Sequence, residues 1–246
     1  MIGNNVVAGK LESLRAAVRT MLTQLTVVED EDIRGNYQGV LERADSVLET
    51  GVNRERKIMA DTNLSATGQR NAIQALWKET LSALEFVGKK ATSLQEAASS
   101  LRAELFAIPP TPKGVDPIMA YMREAEIRAW LSRLSKAEVL SKYMVAAQSG
   151  NAEMIRAVKL APGEPMIEPA ELDKIDAERV RQTKVKETTR LDSLNTAADA
   201  LASLSAAFMR SLSPGFDVNV KPTPPARSNQ SLIGGGHPVA ARAENF

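Results

Sequence analysis

Few residues of this chain combine the types and spacings that chemistry requires, and the most conspicuous set is the acidic run at residues 29–32. Its four carboxylates could hold a hard cation such as Mg²⁺ or Ca²⁺, which prefers oxygen ligands. However, the run lacks the alternate spacing and the glycine of a calcium-binding loop. We therefore interpret it as the acidic start of a helix, where carboxylates complement the helix dipole.

The residues that usually act as nucleophiles, bases or soft metal ligands are nearly absent. The chain has no cysteine, and its single histidine, His237, lies between Gly236 and Pro238 with no carboxylate nearby. The glycines at 234–236 lack the lysine and the hydroxyl residue of a phosphate-binding loop. A di-iron bundle needs two Glu-x-x-His motifs, which one histidine cannot supply. We predict that the protein is not an enzyme and uses no cofactor and no metal.

The densest basic stretch, residues 179–190, could contact nucleic-acid phosphates. Acidic residues lie within and beside it, no aromatic residue in it offers a stacking platform, and the net charge of the chain is only +1. A helix-turn-helix DNA reader in residues 116–160 would have only Arg156 and Lys159 as long donors on its last helix. A nucleic-acid-associated internal or packaging protein that uses residues 179–190 is therefore the alternative interpretation.

Helical periodicity dominates the elements that must position these side chains. From residue 7 to residue 28 apolar residues alternate at spacings of three and four, which is the heptad pattern of a helical seam. A second helix is predicted from Ile33, and one continuous helix over 73–108, ended by Pro109 and Pro110. The predicted seam residues are Leu11, Leu14, Val18, Leu84, Leu94 and Leu101.

Shorter helices are predicted after the long helix over 73–108. Asp116 and Pro117 mark one helix start, and Ser135 with Glu138 form the capping box of the next. We expect Trp130, Leu131, Tyr143 and Met144 to point into a small core, because they follow helical spacing. A last helix is predicted from Pro169 to the proline at 214.

These patterns predict an all-α fold with long coiled-coil-like helices, a compact module of short helices and an extended C-terminal arm rich in proline and glycine. The predicted regions are 1–108, 109–163, 164–213 and 214–246. No stretch approaches the ~18 apolar residues of a membrane-spanning helix, so we expect a soluble protein without a membrane partner.

The arm is too poor in apolar residues to order itself, so we predict that it binds a neighbouring protein surface. The predicted anchors are Phe216, Leu232, Ile233 and Phe246.

Residues 126–131 (EIRAWL), 146–154 (AAQSGNAEM) and 161–162 (AP) resemble a pattern found in uncharacterised helical proteins encoded among bacteriophage head and structural genes. The resemblance covers a small part of the chain and contains no catalytic signature. It implies a virion component with a structural or assembly role, and otherwise we expect a cytoplasmic protein. The partners would be other copies of the chain and a larger assembly, such as capsid, portal or neck proteins.

Overall fold

A computed structural model describes residues 9–213 of the chain, and these residues form helices and no strand. The all-α prediction is therefore confirmed for this range, whereas the predicted arm, 214–246, lies outside the described residues. The elements are α1 (Lys10–Thr23), a 3₁₀ turn (Leu25–Val27), α2 (Glu31–Ala60), α3 (Ala66–Ala83), α4 (Glu85–Leu105), α5 (Pro117–Leu131), α6 (Lys136–Ser149), α7 (Ala152–Lys159), α8 (Pro169–Thr183) and α9 (Val185–Leu212).

Side-chain caps define where several of these helices begin. Asp30, inside the acidic run, accepts a hydrogen bond from the backbone N–H of Ile33 at 3.1 Å, so the run starts α2 as interpreted from the sequence. Ser135 and Glu138 form the predicted reciprocal capping box of α6. These local hydrogen bonds satisfy N–H groups that a helix leaves unpaired in its first turn.

The larger core lies between α1, α2, α3, α4 and α9, and α4 packs along α9 over the greatest length. The two helices approach closely at Gly88, where an added Cβ would lie 2.8 Å from Oγ of Ser205. The core consists mainly of aliphatic side chains, including Leu41, Leu48, Val87, Leu201 and Leu204, and it also contains the aromatic ring of Phe208.

The continuous helix predicted over 73–108 is wrong in one respect, since the structure interrupts it at Leu84. There α3 ends and α4 begins, although the backbone of Leu84 stays near the helical region at φ −94° and ψ −2°. The reason is tertiary, because α3 packs mainly on α2 whereas α4 packs on α9. Bending at a buried leucine lets each half follow its own neighbour.

The predicted final helix is also divided. It breaks at Lys184, whose φ of −129° and ψ of 52° are not helical, so that α8 ends at Thr183 and α9 begins at Val185. As at Leu84, the halves have different neighbours: α8 packs on α6, and α9 joins the larger core.

A second, smaller core joins α5, α6, α7 and α8. Its buried apolar residues include Leu131, Val139, Tyr143, Ile155 and Ile167. This core includes Ile167, and Ile175 packs against it from α8. No helix within residues 9–213 is long and apolar enough to cross a membrane.

Candidate protein interaction surface

Helix α5 buries two charged side chains and exposes several large apolar ones, although Leu131 at its end lies in the smaller core. Asp116 caps it by accepting from the N–H of Ile118 at 2.7 Å, and Pro117 follows at the first helical position. The buried side of α5 carries two charged residues, Glu124 and Arg128. Surface helices normally bury the apolar stripe and expose the charged one, so the buried charges of α5 need counter-charges or hydrogen-bond partners inside the chain.

On the buried side, the carboxylate of Glu124 is matched by a residue of α7. Nε of Arg156 donates to Oε1 of Glu124 at 2.7 Å, and both side chains are less than a tenth exposed. Nη1 of Arg156 also donates to the carbonyl oxygen of Pro110 at 3.0 Å. The pair therefore fixes α5, α7 and the linker before α5 together.

A second arginine on the buried side, Arg128, lies against an aromatic ring. Its guanidinium carbon is 5.4 Å from the ring centroid of Tyr121, within the range of a cation–π contact. Nη1 of Arg128 is buried and has no hydrogen-bond partner among residues 9–213. The contact holds the Tyr121 ring at the edge of the solvent-facing side.

The solvent-facing side of α5 carries four large apolar residues within its first two turns. We call Ile118, Met119, Tyr121 and Met122 the α5 patch; their exposed fractions are 70, 50, 61 and 53%. Single exposed apolar residues are common on protein surfaces, but adjoining ones indicate an interaction site. Methionine and aromatic side chains are also enriched in protein interfaces. The α5 patch is therefore the strongest candidate for a protein-binding surface in the described range.

Two residues that the sequence analysis placed in the small core are exposed instead. Trp130 and Met144 are 42 and 43% exposed, and the inward positions of α6 are taken by Val139, Tyr143 and Ala146. The prediction for Trp130 and Met144 was wrong because it took one apolar face for each helix. On α5 Glu124 and Arg128 share the buried side with Leu131, and on α6 Ala147 is buried beside Tyr143, so Trp130 and Met144 stay partly exposed.

Another polar cluster lies inside the small core, around the buried carboxylate of Asp176. This group accepts from the hydroxyl of Tyr143 at 3.1 Å, forms an ion pair with Lys159, and lies 3.8 Å from Nε of Arg179. Burial, together with the Asp176 charge, raises the pKa of the Tyr143 phenol well above its usual range. Donors on three helices thus converge on one carboxylate, which joins α6, α7 and α8 and leaves Asp176 no exposed oxygen for a substrate.

The basic stretch at 179–190 does not form one continuous helical face. The break at Lys184 divides it between α8 and α9. Arg179 is directed at Asp176, and Nη1 of Arg190 lies 3.8 Å from Oδ2 of Asp30. Two of the five basic residues are therefore engaged with carboxylates of this chain.

The other sequence-predicted residues divide into those the structure describes and those outside its range. The seam residues Leu11, Leu14, Val18, Leu84 and Leu94 are buried, and Leu101 is partly buried against the larger core. The arm residues Phe216, Leu232, Ile233 and Phe246 lie outside the described residues, as does His237.

The α5 patch was not among the sequence predictions, although the sequence contains a signal for it. Residues 118–122 read Ile-Met-Ala-Tyr-Met immediately after a clear helix start. Such a run places apolar side chains on more than one side of the first turns of α5, so that they cannot all face the same core.

Comparison of the chain with protein-family models, with curated proteins and with solved structures gives no match. Across residues 9–213, no group of three or more acidic or histidine side chains is placed to hold a metal ion.

Proposed function

We propose that this protein is a non-enzymatic structural or assembly protein that binds a neighbouring protein chain through the α5 patch. The observation that carries the proposal is the reversal of α5, which buries Glu124 and Arg128 while exposing Ile118, Tyr121 and Met122. Full burial of one large apolar side chain is worth about 1.5–3 kcal/mol. A partner that covers the patch would therefore gain binding energy that the isolated chain does not use.

The rest of the described structure is consistent with a packing role. The long helices bury apolar residues within the chain, and the Asp176 carboxylate is engaged by Tyr143 and Lys159 of the same chain. We further propose that residues 214–246 act as an extended arm that fastens the protein to the same assembly through Phe216, Leu232, Ile233 and Phe246.

The proposed setting is a bacteriophage virion, with capsid, portal or neck proteins and other copies of the chain as partners. Support for this setting comes from the resemblance of the segments in residues 126–162 to helical proteins of phage structural gene clusters. The first segment, 126–131, lies in α5, and the second, 146–154, joins the end of α6 to the start of α7. Both therefore belong to the group of short helices that carries the α5 patch.

The proposal is tested by producing the chain together with the proteins encoded by its neighbouring genes and sedimenting the assembled particles. We expect the unaltered chain in the particle fraction and the double variant Tyr121→Ser with Met122→Ser outside it. Met209→Ser is the matched control, because Met209 is equally exposed on α9 outside the patch. The proposal fails if the chain never enters the particles or if the patch variant enters them as well as the control does.

A further inference from the structure

An open groove of about 580 Å³ lies between α2 and α4, on a different surface from the α5 patch. Its α2 wall is formed by Gly35, Gly39 and Val40, and its α4 wall includes Phe86 and Lys90. Val40 and Phe86 are the large apolar residues of its lining, and the two glycines leave the α2 backbone open to close approach by another helix.

Nothing within the described chain explains the two glycines of this wall. An added Cβ at Gly35 or at Gly39 would meet no atom within 4 Å, whereas at Gly88 it would collide with Ser205. Glycine inside a helix destabilises it relative to alanine. At position 88 the close approach of α4 and α9 favours glycine, whereas no packing contact within residues 9–213 accounts for glycine at positions 35 and 39.

The charges around the groove are divided between its two ends. Arg43 and Lys90 make no ion pair within residues 9–213, and Arg43 instead stacks on Phe86 at 4.3 Å. Lys89 has only a long contact of 3.8 Å with Glu85, and both side chains are largely exposed. This end of the groove is basic and matches an acidic partner segment.

The opposite end of the same α2 face is acidic. Glu31 and Asp32 stand about one turn before Gly35, are exposed, and form no ion pair in the described range. Arg43 follows Gly39 by about one turn. Glu42, next to Arg43 in the chain, accepts a hydrogen bond from Gln38 at 2.7 Å. The sequence of this face is therefore acidic, small and basic, which is the order that a second identical helix complements when it runs antiparallel.

We propose that a second copy of this chain occupies the groove, with the two α2 helices antiparallel across a two-fold axis near Gly35 and Gly39. In that arrangement Glu31 and Asp32 of each copy meet the basic group of Arg43, Lys89 and Lys90 on the other. A two-fold interface uses the same patch twice, so self-complementary charge is what it requires. This proposal is independent of the α5 patch.

The test is the oligomeric state of the purified full chain, measured by sedimentation equilibrium over a range of concentrations. We expect a dimer, and we expect Gly39→Leu to raise its dissociation constant by roughly tenfold or more. Since a side chain at position 39 meets open space, the variant should keep its helical circular dichroism and melt no lower. Ala206→Leu, at an exposed site on α9, is the matched control and should leave the dimer unchanged.

Charge reversal separates this interface from unspecific association. Asp32→Lys and Arg43→Glu should each weaken the dimer, and the double variant should restore part of the affinity because the charges are exchanged rather than lost. A chain that is monomeric throughout overturns the proposal and leaves an acidic helix of another protein as the occupant. A dimer that is unaffected by Gly39→Leu overturns it as well.

The double variant at Tyr121 and Met122 should still dimerise, so failure of the dimer proposal is distinct from failure of the proposed function.

Discussion

Arg156 of α7 donates a hydrogen bond from Nε to Oε1 of Glu124 of α5 at 2.7 Å, with both side chains almost completely buried. The two residues are 32 positions apart in the chain, yet their contact decides which side of α5 faces inward. A buried carboxylate without a counter-charge would be far too costly. The pair therefore keeps the charged side of α5 against α7 and the α5 patch towards solvent.

Glu124→Ala should strongly destabilise the small core, because it leaves the guanidinium of Arg156 buried without its partner. Breaking a buried pair in this way costs about 3–5 kcal/mol. The free energy of unfolding, measured by denaturant titration, reports this loss. Glu79→Ala, which removes the exposed partner of Arg54, is the control and should change little. Equal effects of the two substitutions would contradict the structural role given to Glu124.

Much of the fold could be predicted from local signals. The caps at Asp116 and Ser135 and the seam around Leu11 and Leu94 depend on residues within a few positions of each other, and the structure has helices at these places. The break at Leu84 could not be predicted, because no proline, glycine or capping residue marks it and the apolar spacing continues through it. It depends on which distant helix each half contacts.

The candidate site was less predictable than the fold for the same physical reason. The orientation of α5 is set by Glu124 and Arg156, a pair that no local pattern links. Without that pair, the spacing of Ile127, Trp130 and Leu131 places Trp130 inside, whereas the structure exposes it. Burial of charge thus overrides the apolar periodicity at this helix.

Leu94→Asp should disrupt the larger core, since Leu94 is buried in α4 among aliphatic side chains. An unpaired charge in such a place costs several kcal/mol, so we expect a large drop in melting temperature by circular dichroism. Ala97→Asp tests the same change at an exposed position of the same helix, and it should be nearly neutral. A Leu94→Asp protein that melts like the unaltered chain would show that this side of α4 is not part of the core.

The stability of the chain should depend on the ionisation of Glu55. This carboxylate is 5% exposed and accepts from Nε1 of Trp77 at 3.2 Å. Burial, with a smaller contribution from the Glu12 charge, raises the pKa of Glu55 above its ordinary value of 4.5. The folded state therefore binds the proton more tightly than the unfolded state, and stability falls as the pH rises from the ordinary value through the raised one.

Glu55→Gln removes this titration and keeps an acceptor oxygen for Trp77. The variant should melt at a higher temperature than the unaltered chain at neutral pH, and the difference should disappear below the ordinary pKa of a glutamate. Trp77 fluorescence monitors whether the local packing is kept. A difference that does not vary with pH would mean that the substitution acts through packing alone.

The last prediction concerns residues 214–246, which the sequence analysis assigns to the binding of another polypeptide. Deleting them should leave the helical circular dichroism of residues 9–213 almost unchanged, because the described helices pack on one another in two cores and Leu212, in the last turn of α9, is buried in the larger core. The same deletion should abolish incorporation into the assembly. The reason is that ordering costs roughly 1–2 kcal/mol per residue, and a segment so rich in proline and glycine has too few apolar residues to offset it alone. Replacing Leu232 and Ile233 by serine should weaken incorporation while the chain length is kept. Val239→Ser, at an apolar residue outside the proposed anchors, is the control. Particles that take up the truncated chain as readily as the full chain would contradict an anchoring role for the arm.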